Sequence, residues 1–298
     1  MKSIKTDNYA WLYFENPDKD DLEALQKIFQ LHPVVLGEFN SPTYRPKVAR
    51  YNNYIFMVLH FPVFNEEEKV TEMGEVDIII NNEYLVTSCN KHNNVLYQYF
   101  QEKNKSQGSP AGRMPKNPYL LLFKIIDKLT NACFPMLDHI SDHLDEIEAG
   151  IFNGSGQSLV KEISVIKRDI LNFRRVIQPQ RSIINSLGQS RVFVDRDDYE
   201  IQINDIIGTH IRVWNVLENH KETIDSLEAT NDSLFSYKLN QTIKMLTIFS
   251  VVMLPASLIA GLFGMNVTIP MKDFWSITAL VGSLMLAFLS IMKIKKWF

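Results

Sequence analysis

Two rows of residues near the end of the 298-residue chain repeat with a period that places each row on one helical face. Asn240, Thr247, Leu254 and Gly261 recur every seven residues, and Ile243, Ser250, Ser257 and Gly264 form the adjacent row. The small and hydroxyl-bearing side chains therefore share a face, while Leu246, Ile248, Phe249, Val252 and Leu262 lie mostly elsewhere on the helix. Two chemistries fit this pattern. Small residues let helices approach closely in a membrane, which makes the face a packing seam. Alternatively, several identical helices around an axis would turn backbone, hydroxyls and a ring of Asn240 amides toward water, with Leu254 as an apolar constriction that gates by dewetting. Periodicity by itself favours the seam.

The element carrying these rows must be a transmembrane helix. Met245 to Met271 contains no charged side chain, and Met245 to Phe263 and Phe274 to Met292 each approach the roughly 20 apolar residues that span a bilayer core. A buried hairpin in a soluble core would leave a polar stripe on each helix, and neither segment carries a charged one. Lys293, Lys295 and Lys296 follow the second span, whereas the connecting loop has only Lys272 beside Asp273. The positive-inside rule then places both termini in the cytoplasm and the loop outside, with Trp275 and Trp297 near the two interfaces. Upstream, no Pro and only Gly208 interrupts Arg196 to Leu254, so one helix of roughly 90 Å is expected to run straight into the first span. Helices of that length need partners, either the preceding helices or copies of the chain.

The remainder reads as a soluble α+β region. NPDKDDLEALQKIFQL predicts a capped amphipathic helix with Leu22, Leu25, Ile28 and Phe29 on one face. YIFMVLHFPVF, EVDIII and EYLVTS predict strands of one sheet between Tyr54 and Ser88. From about Pro118 the period is helical, through a turn at Gly154 to Gly156 and on to Leu187, which predicts a long helical hairpin. The expected organisation is an N-terminal α/β cytoplasmic domain over 1–115, a helical hairpin over 116–195, and a stalk helix with first span over 196–263, its membrane part at about 245–263. An outer loop over 264–273, a second span over 274–292 and a basic tail over 293–298 complete it. The net charge of −3 gives no case for nucleic acid, Cys89 and Cys133 have no paired spacing, and the N-terminus has no signal-peptide core.

The stretch NQTIKMLTIFSVVMLPASLIAGLFGMN, Asn240 to Asn266, resembles the pore helix of the CorA family of divalent-cation channels. Gly264-Met265-Asn266 matches that family's signature at the outer end of the penultimate span, with Pro255 in the preceding turns and the Lys-rich, Trp-containing KIKKWF at the chain's end. LQKIFQLHPVVLGEFN and YRPKV extend the resemblance over nearly the whole chain. It implies a homopentameric, funnel-shaped protein of the inner (plasma) membrane whose first span lines the pore, so the polar face becomes pore-lining. It also implies Mg2+ as cargo and regulator, with Co2+ or Ni2+ as further ions. A ring of Asn266 amides would orient the waters of a hydrated cation without binding it too tightly. Gly264 would bring backbone carbonyls near the axis or simply cap the helix, Met265 would pack, and Pro255 would free a carbonyl. The family closes through cytoplasmic metal sites between subunits. Asp205 matches its stalk aspartate, and Glu66, Glu67, Glu68 or Glu72 of the acidic run is the expected partner, although such a run also reads as a solvated loop. Two departures stand out: Phe263 replaces the usual Tyr, and the outer loop VTIPMKD has one acid, Asp273.

These departures leave a zinc transporter of the same superfamily, or a non-conducting membrane-anchored metal sensor or scaffold, as alternatives. His139 and His143 stand at i, i+4 and could bind zinc, but without HExxH the LDHISDHLDE segment reads more simply as an acidic, solvated helix face. Asn266-Val267-Thr268 fits a glycosylation sequon too close to the bilayer to be used. No phosphate-binding loop, nucleophile elbow or catalytic carboxylate pair is present, which argues against an enzyme.

Overall fold

The structure is a computed structural model that describes residues 1–39, 41–65, 70–89, 94–106, 114–153, 156–189, 199–265 and 273–295. The chain divides into two compact units, Met1–Glu228 and Ala229–Phe298.

The first unit is built on a six-stranded mixed sheet in the order β1-β2-β6-β5-β4-β3, with β1 Lys2–Lys5, β2 Ala10–Glu15, β3 Lys47–Arg50, β4 Ile55–Asn65, β5 Val70–Ile80 and β6 Tyr84–Cys89. Only β2 and β6 pair in parallel, with Trp11 opposite Leu85 and Phe14 opposite Ser88; the other neighbours are antiparallel. Helices cover both faces, which is why β2 and β4 read as near-continuous apolar runs rather than as alternation. On one face, Trp11, Met57, Leu59, Val76 and Ile78 pack with residues of α3 Asn94–Lys105 and α4 Pro118–Asn131. Trp11 anchors this core: its indole N–H donates to Thr87 Oγ1 at 3.0 Å, and its ring meets Phe100 edge-on at 4.9 Å. On the other face, Leu12, Phe14, Phe56, Val58 and Ile79 pack against α1 Lys19–Phe29 and α2 Pro33–Phe39.

Helix α1 follows the sequence expectation at its start. Asp18 accepts the Asp21 N–H at 2.9 Å and Asp21 returns the contact to the Asp18 N–H, a capping box on two orphan donors. Leu25 and Phe29 are buried, Leu22 is half-buried, and Ile28 turns toward solvent.

Past the sheet, β4 and β5 continue as a two-stranded ribbon, because β3 reaches only to Val58 and β6 only to Val76. Helix α6, Gly156–Gln189, packs on it. Gln180 Oε1 accepts the His60 N–H at 2.6 Å, and Asp169 Oδ1 accepts the Thr71 N–H at 2.5 Å. Gly74 in the ribbon lies opposite Phe61, and a Cβ there would come within 2.5 Å of Val63 Cγ2 and 3.3 Å of the Phe61 carbonyl oxygen. Val63 is β-branched and stiff, so Gly74→Ala is expected to cost about 1–3 kcal/mol, read as a lowered melting temperature.

Helix α5, Cys133–Asn153, packs along α6 and forms the predicted hairpin, burying Leu137, Ile140, Leu144, Ile147 and Ile151. The turn expected at Gly154 to Gly156 lies largely outside the described residues. The predicted long helix is observed as α7, Glu200–Phe263, one element of 64 residues. Within the first unit it buries Ile203, Ile206, Val213, Leu217, Ile224 and Leu227. Ion pairs from α6 hold it: Arg174 reaches Glu218 at 2.8 Å and Lys167 reaches Asp225 at 3.0 Å. The preceding helices therefore supply partners for this part of the stalk.

Candidate functional site

The second unit holds the end of α7 and helix α8, Phe274–Ile294. Their apolar side chains are largely exposed: Leu246, Phe249, Leu258 and Leu262 on α7, and Trp275, Leu286 and Ile291 on α8. A hairpin in a soluble core would bury this surface, and so much exposed apolar area calls for lipid or further copies of the chain. Two of the terminal lysines are described: Lys293 in the last turn of α8 and Lys295 at its C-cap, where cations complement the helix dipole. Trp275 is 75% exposed and its ring lies 5.6 Å from that of Phe274. Trp297 and Lys296 lie outside the described residues.

All members of the two heptad rows on α7 are exposed, from Asn240 and Ile243 through Thr247, Ser250, Leu254 and Ser257 to Gly261 and Gly264. Thr247 Oγ1 donates to the Ile243 carbonyl at 2.8 Å, and Ser250 Oγ to the Leu246 carbonyl at 2.9 Å. Each hydroxyl thereby satisfies its proton within the helix and keeps its lone pairs for an outside donor, such as a cation's hydrating water. Leu254, 68% exposed, interrupts this row with a bulky apolar group. Pro255 lies inside the helix, and its missing N–H leaves the Val251 carbonyl without its usual partner. A Cβ on Gly261 would meet nothing within 4 Å, so this glycine provides a smooth surface rather than relief from a clash inside the chain.

The helix ends as the signature begins. The Gly264 N–H donates to the Ala260 carbonyl at 3.0 Å and the Met265 N–H to the Leu262 carbonyl at 3.3 Å, a tightened last turn. Gly264 has no positive φ, so the left-handed glycine cap is not its role. Met265 is exposed, and Asn266 lies outside the described residues.

The regulatory candidates fall in two different surroundings within one chain. Asp205 is exposed on α7 and faces Asp127 of α4. Partial burial and then the charge of Asp205 push the Asp127 carboxyl upward, against a hydrogen bond from Asn131 Nδ2 and the charge of Arg212. Glu72 is in strand β5 rather than in a solvated loop, and its Oε1 accepts from Asn65 Nδ2 at 2.8 Å. Glu66, Glu67 and Glu68 lie outside the described residues. Among the described residues no three His, Cys, Asp or Glu side chains gather as a ready-made metal cage.

One ionisable cluster has no counterpart in the sequence reading. Asp77 on β5 is 0% exposed, and neither carboxyl oxygen receives a proton from a donor group. Burial foremost, then the charge of neighbouring Glu75, pushes its pKa up to about 9, with Glu38 adding to the effect and Lys47 opposing it. Asp77 therefore holds a proton that it shares with Glu75, whose own pKa burial raises and whose Oε2 accepts the Thr43 N–H at 2.7 Å. His60 Nε2 bonds the Thr43 carbonyl at 2.8 Å, and Lys47 pairs with Glu38. The sequence signal was acids two apart, Glu75 and Asp77, within an apolar strand.

A mixed-sheet α/β unit and one very long helix, whose exposed apolar end is followed by a second exposed apolar helix, define the architecture of a two-span membrane protein. A family model described as "CorA-like Mg2+ transporter protein" matches residues 6–296, and the chain belongs to that family, whose members are transporters rather than enzymes. It is 24% identical to the cobalt/magnesium transport protein CorA of Thermotoga maritima, covering 93% of this chain and 80% of that one. It is 23% identical to the zinc transport protein ZntB of Yersinia enterocolitica, covering 86% and 76%. The solved CorA magnesium transporter of Methanocaldococcus jannaschii superposes with a TM-score of 0.87 at 18% identity, over 100% of this chain and 95% of that one. The protein is accordingly a divalent-cation transporter of the CorA family.

Proposed function

We propose that the chain assembles as a homopentamer in the inner (plasma) membrane, with both termini cytoplasmic, and conducts hydrated divalent cations, Mg2+ foremost, down the membrane potential. The observation carrying this reading is the exposed face of α7, where hydroxyls, Asn240 and glycines share two heptad rows. Lipid has no use for such a face, whereas a file of water-coated ions does. Mg2+ sheds water reluctantly, so uncharged oxygen acceptors that hold its hydration shell suit it better than a tight cage. Asn266 supplies such an acceptor at the outer mouth, beside Gly264 and Met265, and Leu254 closes the path by dewetting when the subunits draw together. A 100 mV inside-negative potential contributes about 2.3 kcal/mol per charge, hence roughly 4.6 kcal/mol for a divalent ion, and no nucleotide is needed.

Closure in this reading follows cation binding between subunits at Asp205, with Glu72 or one of Glu66, Glu67 and Glu68 from the neighbour. The proximity of Asp127 supports it, since two acids near one surface attract a cation that either alone would hold weakly. Asp205→Lys replaces the clamp's ligand by a fixed positive charge. It is expected to raise the internal Mg2+ concentration needed to inhibit flux, and an unchanged inhibition curve removes Asp205 from the site.

The ZntB likeness makes zinc a specific second reading, which the central experiment resolves. Purified protein in liposomes under an inside-negative potential is given Mg2+ or Zn2+ outside and matching reporter dyes inside. Potential-driven Mg2+ entry is the expected result. Zn2+ entry responsive to a pH gradient, with silence for Mg2+, assigns the chain to zinc transport; silence for both leaves a membrane-anchored sensor or scaffold.

A further inference from the structure

On α5, His139 and His143 bring their imidazoles together: the ring centroids are 4.5 Å apart and the two Nε2 atoms 3.3 Å apart. Two Zn–N bonds of about 2.0–2.1 Å meeting at a tetrahedral angle span about 3.3–3.4 Å between nitrogens, so the spacing matches a shared tetrahedral ion. The other nitrogen of His143 is already committed, since Nδ1 lies 3.1 Å from Glu146 Oε2 and donates to it. That hydrogen bond fixes the tautomer with its lone pair on Nε2, the arrangement that metal-bound histidines take from a carboxylate behind them. His139 is braced by the edge of Phe64 at 6.3 Å. Both rings line a cavity of ≈ 740 Å³ between α5 and α6, whose wall also includes Glu162.

We propose that His139 and His143 form an accessory binding seat for a borderline divalent cation, Zn2+ or Co2+, at the α5–α6 cavity and separate from the transport path. In the metal-free chain one Nε2–H donates to the other ring's Nε2. Binding needs only that His139 carry its proton on Nδ1 instead, so no net proton is gained or lost. Two imidazoles are soft enough to prefer Zn2+ or Co2+ over Mg2+, which takes oxygen ligands and keeps its waters. With two protein nitrogens in place and the open cavity supplying water, or Glu162 on rotation, the seat is incomplete by the standard of a four-ligand structural site. An ion held this way exchanges readily, as a site that reports the concentration of such ions must. The proposal does not depend on which ion crosses the membrane.

The test is titration of the full-length protein in detergent with Zn2+ alone as probe, in a buffer saturated with Mg2+ to occupy oxygen-donor sites. The expected result is one Zn2+ equivalent per chain that disappears in both His139→Gln and His143→Gln, while Glu146→Gln keeps the equivalent but weakens it roughly tenfold. His139 and Glu146 are exposed, so these substitutions leave the fold intact, which an unchanged melting temperature of the metal-free variants checks. Co2+ in place of Zn2+ should give the wild-type protein a tetrahedral ligand-field absorption that the double variant lacks. Equal Zn2+ stoichiometry and affinity in wild type and double variant overturns the proposal, as does a Co2+ spectrum indifferent to the two histidines.

Discussion

Asn266→Ala is expected to abolish selective cation influx in liposomes while leaving the assembled protein unchanged on size exclusion. Asn266 follows the last described turn of α7, where Gly264 and Met265 still donate to helix carbonyls. In the proposed pentamer five amides act together on one hydrated ion. At about 0.5–1.5 kcal/mol for each hydrogen bond, five of them sum to roughly 2.5–7.5 kcal/mol. Each 1.36 kcal/mol is a tenfold change in rate, so the loss is expected to be roughly seventyfold or more. Alanine is small and uncharged, so the substitution removes the amide acceptor without adding a charge or bulk. Asn266→Asp makes a useful contrast, because a ring of charges holds the ion harder and lowers throughput instead of selectivity. Normal selective flux in the alanine variant eliminates the mouth ring as the selecting element.

The second large effect concerns stability. Asp77 is protonated in the folded protein, with a pKa near 9, and ionised above about 4 once unfolded. Between those values the folded state binds the extra proton, so stability falls as pH rises through this window and levels off above it. Below about pH 4 both states are protonated and the penalty vanishes. Asp77→Asn removes the titration and lets an amide N–H donate to Glu75 in place of the shared proton. The variant is expected to be more stable than wild type by on the order of 3 kcal/mol at neutral pH, a difference that shrinks toward pH 4. Melting curves from pH 5 to 8 read this directly, at roughly 2–4 °C per kcal/mol for a unit of this size. A difference between variant and wild type that does not change with pH rules out the shared proton.

The stalk was legible in the sequence because helix formation is local. The absence of Pro and the single Gly208 between Arg196 and Leu254 announced it, and the observed α7 runs on through Pro255 to Phe263. It does so because a proline costs one backbone bond, while breaking the helix in an apolar segment would orphan several. The heptad rows were legible for the same reason, since a period of 3.6 fixes a face without further information. The strands between Tyr54 and Ser88 were readable from β-branched runs. Strands β1 and β2 were not, because β1 has four residues and β2 finds its parallel partner some seventy residues later, at β6. Nor could the sequence show that Glu75 and Asp77 are covered. Their setting is completed by Glu38 of α2, Thr43 in the segment leading into β3 and Lys47 at the start of β3. Likewise, i, i+4 spacing allowed His139 and His143 to meet, but Phe64 and α6 had to fold beside them before a cavity existed.

Among the described residues the ribbon formed by the far ends of β4 and β5 has no strand on either side, and its N–H groups at His60 and Thr71 are taken by Gln180 and Asp169. A bare two-stranded ribbon of this kind is a template on which another polypeptide can build, so α6 acts as a stopper against polymerisation as well as a packing element. Partial melting that lifts α6 before the sheet unravels would leave a β-rich core with sticky sides. Heated protein then follows a particular order of damage: helix content falls first, growth of cross-β material follows at a rate set by concentration, and cooling no longer restores the native protein.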